Sequence, residues 1–187
     1  MKNLQIKNIV IVGTLVALMA ATRMHHFGSP LHLPDASLAV FLLAGFLLAS
    51  PTLFGVLLLE AAVLDYAAIT QMGVSDYCVT PAYGFLIPTY AVLWMAGRYS
   101  ARIDRHNVHS LIPFAGIAFA ALSAAFVISN GSFFLFSGRY PSMSIADYAV
   151  QVGQYYLPYL SSAVLYLAPA FLLYAIFIHR ADAAHSA

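Results

Sequence analysis

Charged residues and cysteines are scarce in this 187-residue chain. Only 8% of the residues are charged, and Cys78 is the single cysteine. A lone thiol cannot close an internal disulfide, so any chemistry of Cys78 is ligation, nucleophilic attack or exchange with a partner's thiol; the alternative is a small buried hydrophobe. The net charge of +1 and the lack of a basic stripe or nucleotide-binding glycine motif argue against a nucleic-acid partner and against ATP binding through a Walker-type loop.

Apolar residues, by contrast, are abundant. They make up 62% of the chain, and the mean hydropathy is +0.84, whereas soluble domains are about half apolar. The sequence therefore predicts an integral membrane protein. The first apolar run follows Lys2 and Lys7, as in a signal peptide, but it leads into Arg23 without a clear cleavage site, so we expect it to be retained as a helix.

Apolar runs bounded by polar or turn residues predict an all-α protein, a single domain over 1–187 with six transmembrane helices. Serine or threonine followed by proline gives plausible N-caps at Ser50 and Thr80, and Ser144 does similar work before the last span. The second span is short and is expected to be partly interfacial, and Pro158 and Pro169 are expected to bend the last one. The six spans are approximately 7–24, 36–50, 51–70, 81–97, 110–129 and 147–179.

The distribution of Lys and Arg predicts that both termini are cytoplasmic. In that orientation six of the eight cations lie inside, and only Arg23 and Arg139 lie outside, which satisfies the positive-inside rule. We therefore expect a bacterial inner-membrane protein whose polar chemistry faces the periplasm, in the outer segments 24–36, 70–82 and 130–147. The cations placed in the cytoplasm are Lys2, Lys7, Arg98, Arg102, Arg105 and Arg180.

Two carboxylates inside the third span need an explanation, because a carboxylate in hydrocarbon is costly and often marks a functional site. Asp65 lies about one turn from the predicted outer end, where it could meet the Cys78 loop or simply be a hydrated helix end. Glu60 is more central, and we expect it to form a hydrogen bond to a neighbouring helix. The two point roughly 140° apart around the helix, which disfavours a paired-carboxylate catalytic site.

The polar residues around Cys78 make ligation worth considering. Asp76 and Tyr77 precede it in the loop, and Tyr83 follows at the start of the fourth span. His26 in the first outer segment is either a ligand contact or an ordinary interfacial histidine. The histidines do not form the patterns that a zinc or haem site needs. Aromatic residues near the outer edge are either a membrane belt or the lining for a large, flat, amphipathic ligand.

The first helix carries a stripe of small residues at four-residue spacing: Gly13, Ala17 and Ala21. Such a stripe lets another helix approach closely. It serves either an internal contact or an external partner.

Taken together, six short helices, a small-residue stripe on the first and an outward cavity resemble the substrate-binding S-component of energy-coupling-factor vitamin transporters. The segment from Asp76 to Tyr83, with Asp65 upstream and His26 in the first outer loop, resembles more closely the BtuM family of S-component-like proteins for cobalamin uptake. The resemblance implies that Cys78 is an axial ligand to the corrin cobalt, with the neighbouring residues His26, Asp65, Asp76, Tyr77 and Tyr83 shaping the site.

This implied chemistry is consistent with a single thiol. A soft thiolate suits cobalt, metal binding itself deprotonates the thiol, and the corrin supplies the equatorial ligands, so one protein donor suffices. The resemblance further implies Cys78-assisted removal of cyanide from cyanocobalamin, a reductive ligand exchange. Transport would use either an energy-coupling-factor ATPase module docked on Gly13, Ala17 and Ala21, or solitary passage with trapping inside the cell.

Other classes stay open. An S-component for a different vitamin would use the same scaffold, with Cys78 structural. A thiol-exchange enzyme would normally need paired cysteines, and an intramembrane protease would need a recognisable Ser/His motif. A noncatalytic bundle would leave the polar outer cluster unexplained.

Overall fold

The computed structural model describes residues 2–23, 33–103 and 111–185, and this part of the chain contains helices and no strand. A 3₁₀ turn, Pro81–Phe85, leads into the fourth helix. The helices are α1 (Lys2–Arg23), α2 (Ser37–Leu47), α3 (Pro51–Met72), α4 (Leu86–Ser100), α5 (Leu111–Phe136), α6 (Ile145–Gly153) and α7 (Tyr156–His185).

Four of these helices, α1, α3, α5 and α7, are long and apolar enough to span a membrane. The all-helical prediction is confirmed for the described residues, whereas two of the six drawn spans correspond to shorter helices. The helix α2 has 11 residues and α4 has 15. At about 1.5 Å per residue neither reaches the roughly 30 Å of a hydrocarbon core.

The predicted N-caps are confirmed at three helix starts. The side chains of Ser50, Thr80 and Ser144 each accept a hydrogen bond from a backbone N–H two or three residues ahead, at 3.1 to 3.3 Å. Each of these bonds satisfies a donor that the first helical turn leaves unpaired. The cap chemistry therefore sets where α3, the 3₁₀ turn and α6 begin.

The sequence predicts one bent helix for the last span. This prediction is wrong, because two helices, α6 and α7, occupy that span. The chain leaves the helix after Gly153 and resumes at Tyr156. Pro158 has no N–H to bond the carbonyl of Gln154, and its ring would clash with that carbonyl, so a continuous helix is disfavoured. In the observed arrangement Pro158 falls in the first turn of α7, where it is tolerated, and Pro169 lies inside that helix.

The sequence predicts that α2 is partly interfacial, and in the structure α2 lies inside the bundle. Ten of its eleven residues are buried. It crosses α4 at two glycines: a Cβ on Gly45 would collide with the carbonyl of Trp94, and a Cβ on Gly97 would collide with the carbonyl of Leu42. Because backbone meets backbone at this crossing, α2 and α4 form the tightly packed centre of the fold.

The helix α5 continues to Phe136, seven residues past its predicted end at 129. The connection to α6 is therefore shorter than the predicted outer segment 130–147. Phe133, Phe134 and Phe136 therefore lie on the last turns of α5, where the ring of Phe133 packs against Tyr77 of the Cys78 loop.

Candidate functional site

A cavity of about 480 Å³ opens at one end of the bundle, and it brings together four of the residues predicted from the sequence. Asp65 comes from the end of α3, Tyr77 and Cys78 from the following loop, and Tyr83 from the 3₁₀ turn. Asp76 is exposed and is not among the lining residues. His26 lies outside the described residues.

Arg23, the last residue of α1, connects the elements around the cavity floor. Its Nε and Nη2 donate to the two carboxylate oxygens of Asp65, each at 2.7 Å. Its Nη1 donates at 2.8 Å to the hydroxyls of Ser37 and Tyr90, and it lies 3.3 Å from Asp35 Oδ2. The Arg23 side chain is only 7% exposed. A planar guanidinium thus joins α1 to α2, α3 and α4 with directional, charge-assisted bonds.

The carboxylate of Asp65 is fixed from two sides. Besides the paired bonds from Arg23, its Oδ2 accepts a 2.7 Å hydrogen bond from the Tyr83 hydroxyl. The interpretation of Asp65 as a merely hydrated helix end is therefore wrong, because its charge is neutralised by Arg23. The side chain keeps 25% of its surface exposed, so it can still face a ligand.

Sequence reasoning missed Arg23 and Tyr90 as site residues. Arg23 was used only in the charge count for orientation, and Tyr90 had no signal beyond its place in an apolar span. The sequence does hold a signal for Arg23, because an arginine at the end of an apolar helix needs acceptors, and Asp35 and Asp65 are carboxylates on the next two predicted helices or just before them.

Cys78 is exposed and lines the cavity, so the alternative of a small buried hydrophobe is wrong. Partial burial of the thiol and the negative charge of Asp65 raise the pKa of Cys78, while Arg139 lowers it. The net direction is upward, so the thiol is protonated at neutral pH. This is the opposite of an activated nucleophile, whose pKa is depressed.

The loop that carries Cys78 is held against the α5–α6 connection by Arg139. The guanidinium carbon of Arg139 lies 4.4 Å from the centre of the Tyr77 ring, and Nη2 donates to the Tyr77 carbonyl at 3.3 Å. The hydrogen bond between Tyr140 and Tyr77 and partial burial raise the pKa of Tyr140 to about 12. Arg139 and Tyr140 therefore hold Tyr77, and with it the position of Cys78, by contacts with its ring and backbone.

Aromatic rings form much of the cavity wall. Phe85 stacks on Phe136 at 4.8 Å, and Tyr77 packs at 5.8 Å from Phe133. Such rings offer broad apolar faces with polar edges, which suits a large amphipathic ligand. The aromatic residues lining the cavity are Tyr77, Tyr83, Phe85, Tyr90, Phe133, Tyr140, Tyr148 and Tyr155.

Within the described ranges, no three His, Cys, Asp or Glu side chains converge to hold a metal ion. A single thiol can, however, complete the coordination of a metal that arrives with its own ligands. The cavity thus combines one soft donor, one neutralised carboxylate and an aromatic wall.

Glu60 and the small-residue stripe lie away from the cavity. The prediction that Glu60 forms an interhelical hydrogen bond is wrong for its Oε2, which is buried and has no partner in the described part of the chain. Gly13, Ala17 and Ala21 are exposed on α1, and a Cβ on Gly13 would meet no atom within 4 Å. Within the described part of the chain, the stripe therefore lies on an exposed side of α1.

The fold and cavity define the chain as an all-helical protein with four candidate membrane-spanning helices and a ligand-sized cavity at one end. In comparisons with known proteins, the chain matches no protein-family model and no curated protein sequence.

Proposed function

We propose that this protein binds cobalamin in the cavity beside Cys78 and carries it across the bacterial inner membrane, with six helices in the bilayer, both termini in the cytoplasm and the cavity facing the periplasm. The observation that carries the proposal is the single exposed thiol in an aromatic cavity whose floor holds Asp65 and Tyr83 in fixed positions. A corrin brings its own equatorial ligands, so this one thiol is the only metal ligand the protein must provide.

Cys78 would act as the axial ligand to cobalt. The raised pKa means that the thiol arrives protonated, and coordination to cobalt releases the proton. The flat macrocycle would lie against the aromatic wall. Asp65 and Tyr83 would form the polar edge of the binding site, and Tyr77 and Arg139 would hold the loop that presents the sulfur.

Decyanation of cyanocobalamin follows from the same bond. The sulfur of Cys78 donates an electron pair to cobalt(III), and cyanide leaves with the electron pair of the cobalt–carbon bond and takes the thiol proton as hydrogen cyanide. The oxidation state of cobalt is unchanged in this exchange. In the reductive form each cobalt(III) takes up one further electron and becomes cobalt(II); two dissolved thiols supply the electrons for two cobalts, release two protons and end as one disulfide.

The test is the ultraviolet–visible spectrum of detergent-purified protein after incubation with cyanocobalamin and removal of excess ligand. Wild type is expected to retain a corrin with a changed axial-ligand spectrum and to release cyanide. Cys78→Ala should lose both the changed spectrum and the cyanide release. The control Met72→Ala, at an exposed position at the end of α3 that does not line the cavity, should behave as wild type.

Two results would contradict the proposal in different ways. A retained corrin with the same spectrum in wild type and Cys78→Ala would exclude thiolate ligation. No retained corrin in wild type would exclude cobalamin binding and favour the alternative, an S-component that binds a different vitamin and docks an energy-coupling ATPase module, with Cys78 structural.

A further inference from the structure

A second cavity, of about 330 Å³, adjoins the first. It lies between the start of α2, α4, α5 and the first turns of α7. The two cavities share four lining residues: Asp35, Leu86, Tyr90 and Ser129. A ligand in the main cavity could therefore extend a side chain into this second space, which we call the side cavity.

The side cavity has several polar groups for a space lined by apolar helices. Thr89 and Ser162 already donate to carbonyls of their own helices, at 2.7 and 2.8 Å, so their oxygens remain able to accept hydrogen bonds. The remaining polar wall comes from one carboxylate and three further hydroxyls, on Asp35, Tyr90, Ser129 and Tyr159.

Tyr159 is the member of this wall whose hydrogen bonding is incomplete. Its hydroxyl oxygen is buried and has no hydrogen-bond partner among the described residues. Buried hydroxyls in proteins almost always have a partner, because leaving one unpaired costs free energy. The neighbouring Tyr156, in contrast, is bonded to Ser123 at 2.7 Å between hydroxyl oxygens. A ligand group could satisfy this hydroxyl once a small turn of the Tyr159 ring brings the buried oxygen to the surface of the side cavity.

The charges at the side cavity determine which kind of ligand group can bind there. Asp35 and Asp65 carry two negative charges against the single positive charge of Arg23, so an anionic group such as a phosphate or carboxylate is disfavoured. Oδ1 of Asp35 accepts hydrogen bonds from the backbone N–H and the hydroxyl of Ser37. Among the described residues, Oδ2 has only the 3.3 Å contact with Arg23. The site therefore offers an acceptor on Asp35 and a donor on Tyr159.

We propose that the side cavity binds a primary carboxamide, whose NH₂ donates to Asp35 and whose oxygen accepts from Tyr159. This group has the required donor and acceptor and carries no charge. The inference rests on the proposed function, because the corrin of cobalamin carries carboxamide side chains around its edge. One of them would enter the side cavity while the ring occupies the main cavity.

The experiment measures the affinities of two corrins for the detergent-purified full chain by calorimetry. Cobinamide carries its peripheral groups as amides, and cobyrinic acid carries them as carboxylates. Wild type is expected to bind cobinamide at least tenfold more tightly. Tyr159→Phe should weaken cobinamide about five- to tenfold, the value of one hydrogen bond, and change cobyrinic acid less than twofold. Tyr156→Phe, the matched control on the same helix, should change neither by more than twofold.

A second variant, Ser162→Leu, fills the side cavity and should also weaken cobinamide selectively, so the test does not depend on the folding of one protein. Equal affinities of Tyr159→Phe and wild type for cobinamide, or an equal loss for both corrins, would overturn this inference and leave cobalamin binding intact. If wild type binds neither corrin, the proposed function falls and this inference falls with it.

Discussion

Replacing Arg23 by methionine should destabilise the protein strongly. The substitution removes two 2.7 Å bonds to Asp65 and the contacts with Asp35, Ser37 and Tyr90. It also leaves two partly buried carboxylates without a counter-ion. Removing one partner of a buried pair costs about 3–5 kcal/mol. For a chain of this length, 1 kcal/mol corresponds to about 2–4 °C, so the melting temperature should fall by about 6 to 20 °C.

The assay is thermal unfolding in detergent, followed by circular dichroism. Arg98→Met is the matched control, because Arg98 is exposed and its main contact is with the ring of Trp94, at 5.5 Å from the ring centre. That contact is worth about 0.5–1 kcal/mol, so the control should melt within about 4 °C of wild type. Adding Asp65→Asn to Arg23→Met should recover part of the loss, because one uncompensated charge disappears. If Arg23→Met melted within 2 °C of wild type, the reasoning about the Arg23 bonds would be refuted.

Three further predictions concern the helix crossing, the thiol and the α1 stripe. Gly97→Ala should lower the free energy of unfolding by about 1–3 kcal/mol or more in the same melting assay, because the added Cβ collides with the backbone of α2. Gly13→Ala should leave the melting temperature unchanged, because its Cβ meets no atom within 4 Å. Equal effects of the two variants would contradict the tight crossing of α2 and α4. Corrin affinity measured between pH 6 and 8 should rise about tenfold per pH unit, because the Cys78 thiol is protonated below its raised pKa and coordination releases that proton. Arg139→Gln should raise the pKa of Cys78 further and weaken corrin binding at pH 7. A corrin affinity that does not change with pH would argue against thiolate ligation. Gly13→Leu combined with Ala17→Leu should impair cobalamin uptake by cells only if a coupling module docks on α1, so normal uptake by the folded variant would indicate solitary operation.

The sequence was sufficient for the helical class, the main helix starts and the cluster around Cys78. Those features depend on local signals: apolar runs, serine or threonine before proline, and polar residues concentrated in one loop. Asp65, Cys78 and Tyr83 could be placed together because a helix end, a short loop and the next helix start must be neighbours in space.

The remaining features depend on contacts between distant segments. The bonds of Arg23 join residues up to 67 positions apart, and no periodic pattern marks them. The close approach of Gly45 and Gly97 is equally hidden, because single glycines in apolar helices have no distinctive spacing. The break before α7 is an exception, because Pro158 is a local signal for it. A proline at this position cannot bond the carbonyl of Gln154, which favours a break over a bend.

The enclosed position of α2 has a consequence for the order of assembly during synthesis. Its Gly45 face is covered by Trp94 and Arg98 of α4, which leave the ribosome about 50 residues later. At about 5–20 residues per second, α2 waits several seconds for that cover. If the chain enters a membrane as proposed, α2 is too short to cross the bilayer alone during this interval, so the insertion machinery or α1 and α3 would have to cover it until α4 arrives.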